Sequence, residues 1–199
     1  MANIPSLSES YLPHIPNLQH TLPTHDENGN VNMLVEIPQG SINKYEYVTE
    51  AGVIKLDRVL YEMIPYPIEY GLIPQTWDED GDLLDVMCLI TYPTFSGCLI
   101  SGRVIGVMKM NDGGEVDDKI VVVPADDMRF NHIKSIEDVS KGRKDEIQFF
   151  WEHYKKLQYD YKGTPEKKTR VDGWFGVEEA VKVIEKCQKS YLKKYPKGI

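Results

Sequence analysis

The chain has 199 residues, of which 41% are hydrophobic, and this length suits one domain with a buried core better than two. Its formal net charge of -8, from 31 acidic and 23 basic residues, disfavours nucleic acid as a partner and suits a site that holds cations. The sequence contains neither an apolar run of membrane-spanning length nor an N-terminal secretory signal, so we expect a cytoplasmic protein with no membrane partner.

The three cysteines, Cys88, Cys98 and Cys187, are far apart in the sequence. They form no C-x-x-C pair and have no histidine companions at zinc-binding spacing. A disulfide framework and a structural zinc site are therefore poorly supported, and we expect reduced, buried thiols.

Residues 1–25 are rich in Pro, His and Ser and show no clear periodicity. We interpret them as an irregular extension that lies over the domain or its partner subunits and carries no catalytic residue. Asn28-Gly29 is a turn signal, and the apolar residues that follow it predict a strand that ends at Pro38. Because we find no internal repeat or long linker, residues 26–199 are interpreted as a single domain.

Short β-rich runs recur between turn signals from Lys44 to Pro124. They cover residues 44–49, 53–61, 85–91, 99–110 and 119–123. This spacing of short strands predicts a small closed or Greek-key barrel.

After Pro124 the apolar residues recur with a helical period. The first helical stripe consists of Ile147, Phe150, Trp151, Tyr154 and Leu157. The second consists of Val177, Ala180, Val181, Ile184, Cys187 and Tyr191. We expect two α-helices that pack against the barrel, which makes the fold class α+β.

Five acidic side chains stand among the eight residues from Asp78 to Asp85, directly before an apolar run. One interpretation is a solvated acidic turn, because Asp and Gly are common turn formers. The other is a Mg2+ or Ca2+ site, since hard oxygen ligands gather in this way. An EF-hand loop does not fit, because Leu83 and Leu89 occupy the positions where it needs Gly and Glu.

A second acidic group follows the predicted 99–110 strand and consists of Asp112, Asp117 and Asp118. It lies around the turn Asn111-Asp112-Gly113-Gly114, before the next predicted strand. Two acidic strand ends can face each other in a small barrel, so this group favours the cation-site interpretation.

The run Asp80-Gly81-Asp82-Leu83-Leu84-Asp85-Val86 resembles the D-G-D-P-x-D-V segment of family I soluble inorganic pyrophosphatases. Six further blocks resemble that family in the same order, and together they cover roughly residues 31–174. These blocks are Glu36-Ile37-Pro38, Lys44-Tyr45-Glu46, Asp57-Arg58, Tyr66-Pro67-Ile68-Glu69-Tyr70-Gly71, Asp112 with Asp117 and Lys119, and Glu152-His153-Tyr154-Lys155.

The resemblance implies an OB-like closed barrel with two packed helices, and hydrolysis of pyrophosphate to two phosphates with several Mg2+ ions in the active site. By resemblance, Asp80, Asp85 and Asp117 would bind the activating ions, and Asp112 would hold an ion that accompanies the substrate. The resemblance makes Asp82 the general base that acts on a metal-activated water.

Glu36 and Glu46 resemble further acidic residues of the family, which would contact metal through water. Both also fit ordinary charges on a strand face. The substrate-binding residues implied by the resemblance are Lys44, Arg58, Tyr66, Tyr70, Lys119, Tyr154 and Lys155. Taken singly, lysines and tyrosines in such places are commonly structural, and Tyr154 also fits the apolar stripe of its helix.

Histidine and tryptophan receive no catalytic role in this interpretation. His132 and His153 have no nearby Ser or Cys nucleophile, and metal-bound water needs no protein nucleophile. We therefore expect both to be structural, and we expect Trp77, Trp151 and Trp174 to belong to the core or an interface.

Three residues depart from the family pattern. Leu83 stands where the family usually has Pro, which releases a φ constraint and is expected to loosen the acidic loop. Glu69 stands where Asn is common and is expected to add an anion near the phosphate-binding tyrosines. Gly113 follows Asp112 where an acidic residue is often found.

Two other functions are compatible with a small acidic barrel: a non-catalytic OB-type binding module and a Ca2+ buffer without activity. The first is disfavoured because the cations here are interleaved with carboxylates instead of forming a basic stripe. The resemblance also implies a homo-oligomer. The short chain favours a hexamer, and the extension of residues 1–25 keeps a dimer possible.

Overall fold

The computed structural model describes residues 17–49, 51–165 and 167–196, and at its centre is a β-sheet that closes on itself. Its strands are β1 (Val31–Ile37), β2 (Asn43–Val48), β3 (Val53–Val59), β4 (Glu69–Leu72), β5 (Asp85–Cys88), β6 (Leu99–Asp112), β7 (Glu115–Val116), β8 (Lys119–Pro124) and β9 (Thr169–Phe175). Its helices are α1 (Leu18–Thr21), α2 (Lys141–His153), α3 (Lys156–Tyr161) and α4 (Val177–Lys194). Short 3-10 turns occur at Met128–Phe130 and Ile136–Asp138.

Five strands form the wall of the barrel. β1 pairs with both β4 and β6, so the ring runs β1-β4-β5-β8-β6 and returns to β1. β5 and β8 are parallel, whereas the other neighbours in the ring are antiparallel. A ring of this kind leaves no unpaired sheet edge in the wall. The predicted OB-like closed barrel of an α+β fold is confirmed.

Close packing of β1 against β4 depends on Gly71. A Cβ atom at this position would lie 2.1 Å from the carbonyl oxygen of Leu34, so only glycine fits. The same pair of strands contains a bulge between Val35 and Ile37, which leaves Glu36 as the extra residue. The bulge therefore places a carboxylate in the wall near Tyr70, the partner of Ile37.

The long strand β6 continues beyond the ring and carries the second acidic group. Its distal half pairs with β9, from Val107 opposite Phe175 to Asp112 opposite Thr169. It also pairs with the short β7, which brings the chain back towards β8. β2 and β3 form a separate two-stranded hairpin in which Lys44 lies opposite Arg58.

Helices α2 and α4 cover the barrel with their apolar faces. In α4, Ala180, Ile184 and Cys187 are buried among the side chains of a core cluster that includes Val107 and Ile120. In α2, the buried side chains are Ile147, Phe150 and Trp151. Burial of each large apolar side chain contributes about 1.5–3 kcal/mol to the free energy of folding. The two apolar stripes therefore determine which face of each helix packs against the barrel. The two packed helices are therefore as predicted.

The first predicted helix does not continue through Leu157. α2 ends at His153 with Tyr154 as its C-cap, and the separate helix α3 begins after Lys155, so that Leu157 is exposed. The strands β4, β7 and β9 were not predicted, because they are short or rich in polar residues and glycine. Each is formed through pairing with a neighbouring strand that is distant in the sequence or joined by a tight turn.

The predicted irregular extension lies mostly outside the described residues. From Asn17 onwards it contains α1, and the Asn17 side chain caps this short helix by accepting from the Gln19 amide. Over the described ranges, no helix is both long enough and apolar enough to cross a membrane.

Candidate active site

The centre of the candidate site is the buried side chain of Lys119, the first residue of β8. Its Nζ atom lies 2.6 Å from Asp85 Oδ2 and 2.7 Å from Asp117 Oδ1. The parallel pairing of β5 with β8 sets Asp85 directly beside Lys119, and Asp117 precedes Lys119 by two residues. Three predicted site residues are therefore in direct contact.

The two carboxylates beside Lys119 respond differently to their surroundings. Burial raises the pKa of Asp85 to about 7, and the charge of Asp117 adds to this effect, against the attraction of Lys119. Burial also opposes ionisation of Asp117, but its bond to Lys119 and the charge of Lys155 outweigh burial and lower its pKa. Burial likewise disfavours the charge of Lys119, yet Asp117 and Asp85 hold its pKa above the usual range. The site thus concentrates negative charge that one ammonium only partly offsets.

Aromatic rings surround this ion cluster. Lys119 Nζ lies 4.5 Å from the ring centroid of Trp151 and 5.5 Å from that of Tyr70. Tyr66, Tyr70 and Tyr154 are all buried, and burial raises the pKa of each well above its ordinary value, so their hydroxyls remain protonated donors. The buried Tyr66 hydroxyl has no hydrogen-bond partner among the described residues. It is a donor available to an oxyanion.

Glu36 faces the same centre from the bulge in β1. One of its oxygens accepts from the Tyr47 amide at 2.6 Å. Burial raises its pKa to about 8, and the charges of Asp85 and Asp82 contribute to that shift while Lys44 opposes it. A carboxyl group with this pKa can take up or release a proton near neutral pH.

Asp80 and Asp82 lie in the loop between β4 and β5, at the rim of the centre. The Asp80 carboxylate accepts from the Asp82 amide at 3.1 Å, and Asp82 accepts from the Leu83 amide at 2.8 Å. Loss of hydration raises the pKa of Asp80, as do the charges of Asp78, Asp117 and Asp82. Asp80 therefore lies within electrostatic reach of Asp117, and Asp82 lies within electrostatic reach of Glu36.

Asp112, the last residue of β6, forms the other side of the site. It is ion-paired with Lys155, and its Oδ1 atom accepts a hydrogen bond from the Tyr159 hydroxyl. Burial and the bond to Asp112 raise the pKa of Tyr159 to about 12, which keeps the hydroxyl a donor. Tyr159 was not among the predicted site residues. The sequence showed only that this tyrosine lies five residues after Tyr154, and α3 was not predicted as a helix separate from α2.

The β2–β3 hairpin carries the remaining predicted cations. Asp57 is ion-paired with Arg58, and Lys44 lies 3.7 Å from the same carboxylate. Lys44 is also ion-paired with Glu46, whose side chain is about half exposed. The structure therefore places Glu46 on the exposed surface of the hairpin, beside Lys44. The ion pairs of Asp57 with Arg58 and Lys44 were not predicted either.

Two expectations about unusual residues are wrong. Leu83 was expected to loosen the acidic loop, but its side chain is buried in a cluster with Leu34, Tyr47 and Leu72. Glu69 alternates with Tyr70 along β4 and points to the opposite side, where its Oε1 atom accepts from the Thr94 amide at 2.6 Å. Its carboxylate is therefore not directed at the tyrosines of the site.

Gly113, the third departure, has a φ of 64° in the turn that joins β6 to β7. Glycine adopts this left-handed conformation without the steric cost that other residues carry. An ideal Cβ atom at this position would lie 3.4 Å from the Tyr159 hydroxyl. Gly113 therefore suits both the turn and the space beside Tyr159.

Among the residues that the structure describes, no three His, Cys, Asp or Glu side chains are grouped closely enough to enclose a metal ion. At the centre, the Nζ atom of Lys119 bonds to both Asp85 and Asp117. The donor chemistry nevertheless suits a divalent cation. Hard carboxylate oxygens converge here, and burial together with the charge of Asp117 raises the pKa of Asp85 despite the nearby ammonium of Lys119.

Comparisons with known proteins agree with this geometry. A family model described as inorganic pyrophosphatase matches residues 33–192. The inorganic pyrophosphatase of Synechocystis is 44% identical over 170 residues, which cover 85% of this chain and 96% of that relative. That of Geobacillus stearothermophilus is 46% identical over 165 residues, or 83% of this chain and 96% of the relative.

A crystal structure of the inorganic pyrophosphatase from Thermus thermophilus superimposes with a TM-score of 0.81 at 43% identity. The match covers 88% of this chain and 98% of that one. The chain therefore belongs to the inorganic pyrophosphatase family, whose members are enzymes that hydrolyse pyrophosphate.

Proposed function

We propose that the chain hydrolyses inorganic pyrophosphate to two phosphates with Mg2+ as its metal. Membership of the family implies a divalent metal cofactor in general. The observation that carries the proposal is the convergence of Asp85, Asp117 and Lys119 at one barrel end, with Asp80 and Asp112 at its rim. Mg2+ prefers such carboxylate oxygens and keeps several waters when bound.

The carboxylates of the site are assigned two kinds of metal binding. We assign metal binding to Asp80, Asp85 and Asp117, with Asp112 holding an ion that arrives with the substrate. When bound, the ions would supply an acidified water as the nucleophile. Lys119 offsets part of the negative charge of Asp85 and Asp117, and its ammonium would be available to a phosphate group if metal ions held these carboxylates.

Glu36 and Glu46 remain proposed as outer acidic residues that act through water. The burial of Glu36 and its electrostatic contact with Asp85 support such a role. The exposed position of Glu46 beside Lys44 supports it less directly. A replacement of each by glutamine, compared at several Mg2+ concentrations, separates a metal-related role from an ordinary surface charge.

Asp82 is the proposed general base. Its carboxylate is exposed at the rim, and the hydrogen bond it accepts comes from a backbone amide, not from a cation. A carboxylate in this state can accept a proton from water whose pKa has been lowered by cations. Asp82 then differs in role from Asp80, although only one residue separates them.

Substrate binding is assigned to cations and hydroxyl donors around the centre. Pyrophosphate carries several negative charges, and these must be offset before a nucleophile can approach. Arg58 offers a planar fork of donors, and its buried Nε atom has no hydrogen-bond partner within the described ranges. The same assignment extends to Lys44, Tyr66, Tyr70, Lys119, Tyr154 and Lys155.

We further propose that residues 26–199 act as one catalytic domain in the cytoplasm and assemble into a homo-oligomer, with a hexamer favoured over a dimer. Exposed apolar side chains such as Phe149 and Tyr161 support burial against another subunit. The free thiols of Cys88, Cys98 and Cys187 are consistent with a reducing compartment. Light scattering that gives a stable monomer at micromolar concentration would refute the oligomer.

The decisive assay mixes purified protein with pyrophosphate and Mg2+ and measures released phosphate. Hydrolysis of pyrophosphate, with little release from nitrophenyl phosphate, is the expected result, because metals and cations must engage both phosphoryl groups. A Ca2+ buffer or a non-catalytic binding module would release no phosphate. Comparable rates on the monoester would contradict the proposed substrate.

A further inference from the structure

The loop that carries Asp80 and Asp82, which we call the acidic loop, is held at its base by hydrogen bonds. The Ile73 amide donates to the Leu84 carbonyl at 3.0 Å, and the Thr76 hydroxyl accepts from the Leu84 amide at 2.9 Å. Nearer the tip, the Asp78 amide donates to the Asp82 carbonyl at 2.8 Å. Between these bonds, Gln75 adopts a left-handed backbone conformation with φ at 55°. This conformation is unfavourable for a residue other than glycine, so surrounding contacts must hold it.

Those contacts come from the N-terminal segment, residues 17–24. The Gln75 amide donates to the Gln19 carbonyl at 3.0 Å, and the Gln75 side-chain Nε2 donates to the His20 carbonyl at 2.9 Å. The Thr24 hydroxyl donates to the Pro74 carbonyl at 3.0 Å. Three hydrogen bonds therefore fasten two consecutive loop residues to a segment about 50 residues earlier in the chain.

The same segment also packs beneath the acidic part of the loop. Leu83, which separates Asp82 from Leu84, is buried in a cluster with Leu34, Tyr47 and Leu72. Leu18 packs against this cluster from the N-terminal side, and its amide donates to the Tyr47 hydroxyl at 2.9 Å. Since leucine does not fix φ as proline does, side-chain packing is what restrains the backbone at Leu83.

We propose that residues 17–24 are a brace that positions the acidic loop for metal binding, with Leu18 and Gln75 as its positioning residues. The family model matches residues 33–192, so the brace lies N-terminal to the matched residues. Its effect is to preorganise Asp80 and Asp82 before any ion binds. The inference rests on the proposed function for the role of the metal, but not for the restraint on the loop.

The first test is hydrogen exchange, measured by mass spectrometry on the full-length protein in EDTA. Leu18→Ala removes the packing, and Gln75→Ala removes the side-chain bond while it leaves a non-glycine residue at the left-handed position. In both variants, amides of residues 76–84 are expected to exchange about tenfold faster, while β6 amides keep their protection. Leu192→Ala, at a leucine that is 65% exposed in α4, is the matched control and should change neither.

The second test is Mg2+ binding by calorimetry together with the Mg2+ dependence of phosphate release. The concentration for half-saturation is expected to rise about three- to tenfold in both variants, with kcat at saturating Mg2+ within about twofold of the original protein. Leu18→Met retains an apolar side chain of similar volume and should restore both measurements. It also supplies the comparison if Leu18→Ala does not fold.

Unchanged exchange at residues 76–84 in Leu18→Ala and Gln75→Ala would overturn the proposal. A uniform acceleration that includes β6 would also overturn it, because it would show general destabilisation without a specific brace. If the original protein releases no phosphate, the proposed function fails, but the exchange experiment still decides whether the brace restrains the loop.

Discussion

Asp85 and Lys119 begin two adjacent parallel strands, and their side chains meet at 2.6 Å within the buried end of the barrel. The pairing of β5 with β8 fixes this contact, although 34 residues separate the two positions. Lys119 also bonds to Asp117, so one buried ammonium is shared by two half-buried carboxylates. This relationship links the stability of the metal-free protein to the site that would bind the metal.

Replacement of Lys119 by methionine should destabilise the metal-free protein by about 3 kcal/mol, because two half-buried carboxylates lose the buried cation that they share. Mg2+ should restore part of that stability through binding to the folded state. Urea unfolding in EDTA and in Mg2+ measures both effects. Lys182→Met, which removes an exposed partner of Glu179, should cost at most about 1 kcal/mol and show no Mg2+-specific recovery. Equal losses in the two variants would contradict the buried-pair account.

Replacement of Tyr159 by phenylalanine removes the hydroxyl that donates to Asp112 while it keeps the ring. We expect kcat/KM for pyrophosphate to fall about three- to tenfold, since one hydrogen bond to a charged group is lost while Lys155 remains. Tyr161→Phe is the matched control, because that side chain is largely exposed and its ring packs against Tyr61. Steady-state kinetics of the two variants decide the point. Identical values would exclude a role for Tyr159 in holding Asp112.

Replacement of Glu69 by glutamine should make stability less dependent on pH. Burial raises the pKa of Glu69 above its ordinary value of 4.5, so above that pH the folded state retains a proton that the unfolded state has lost. Stability from this residue is therefore present at low pH and is lost as pH rises through the folded pKa. The advantage of Glu69→Gln should grow as the pH rises above 4.5, which urea unfolding at several pH values measures.

Glu69→Gln should leave phosphate release nearly unchanged, because the side chain points away from the site and bonds to Thr94. A variant whose stability kept the original pH dependence would show that Glu69 does not titrate in this range.

Ca2+ should bind to the protein but support little hydrolysis. Its bonds to oxygen are longer than those of Mg2+ and its geometry is looser, so the nucleophilic water would be misplaced. Calorimetry with each ion and phosphate release in each ion alone provide the measurements. Full activity in Ca2+ would argue against a mechanism that depends on tight metal geometry.

The residues of the barrel were largely predictable because alternating and continuous apolar runs reveal strands locally. β1, β5, β6 and β8 were found in this way. β4 was not, since it has four residues and owes its place to close packing of Gly71 against β1. β9 was missed because its exposed charged residues and Gly173 conceal a strand that pairing with β6 stabilises.

The carboxylates of the site were predictable from their density and from family resemblance, whereas their partners were not. The contact of Lys119 with Asp85 depends on parallel pairing, which leaves no local mark in the sequence. The contact of Tyr159 with Asp112 depends on the break between α2 and α3 at Lys155. The cluster in which Leu83 is buried is also contacted by Leu18, from a segment that had been expected to be irregular.

The central claim is that Asp82 is a base whereas Asp85 is a metal ligand, and a Mg2+ titration of two variants tests it most directly. Asp82→Asn should lower kcat by about 10²- to 10⁴-fold with little change in the Mg2+ concentration for half-saturation. Asp85→Asn should weaken Mg2+ binding as well as turnover, and high Mg2+ should partly restore its activity. Full recovery of Asp82→Asn at high Mg2+, together with normal Mg2+ binding by Asp85→Asn, would contradict the account and reverse the two assignments.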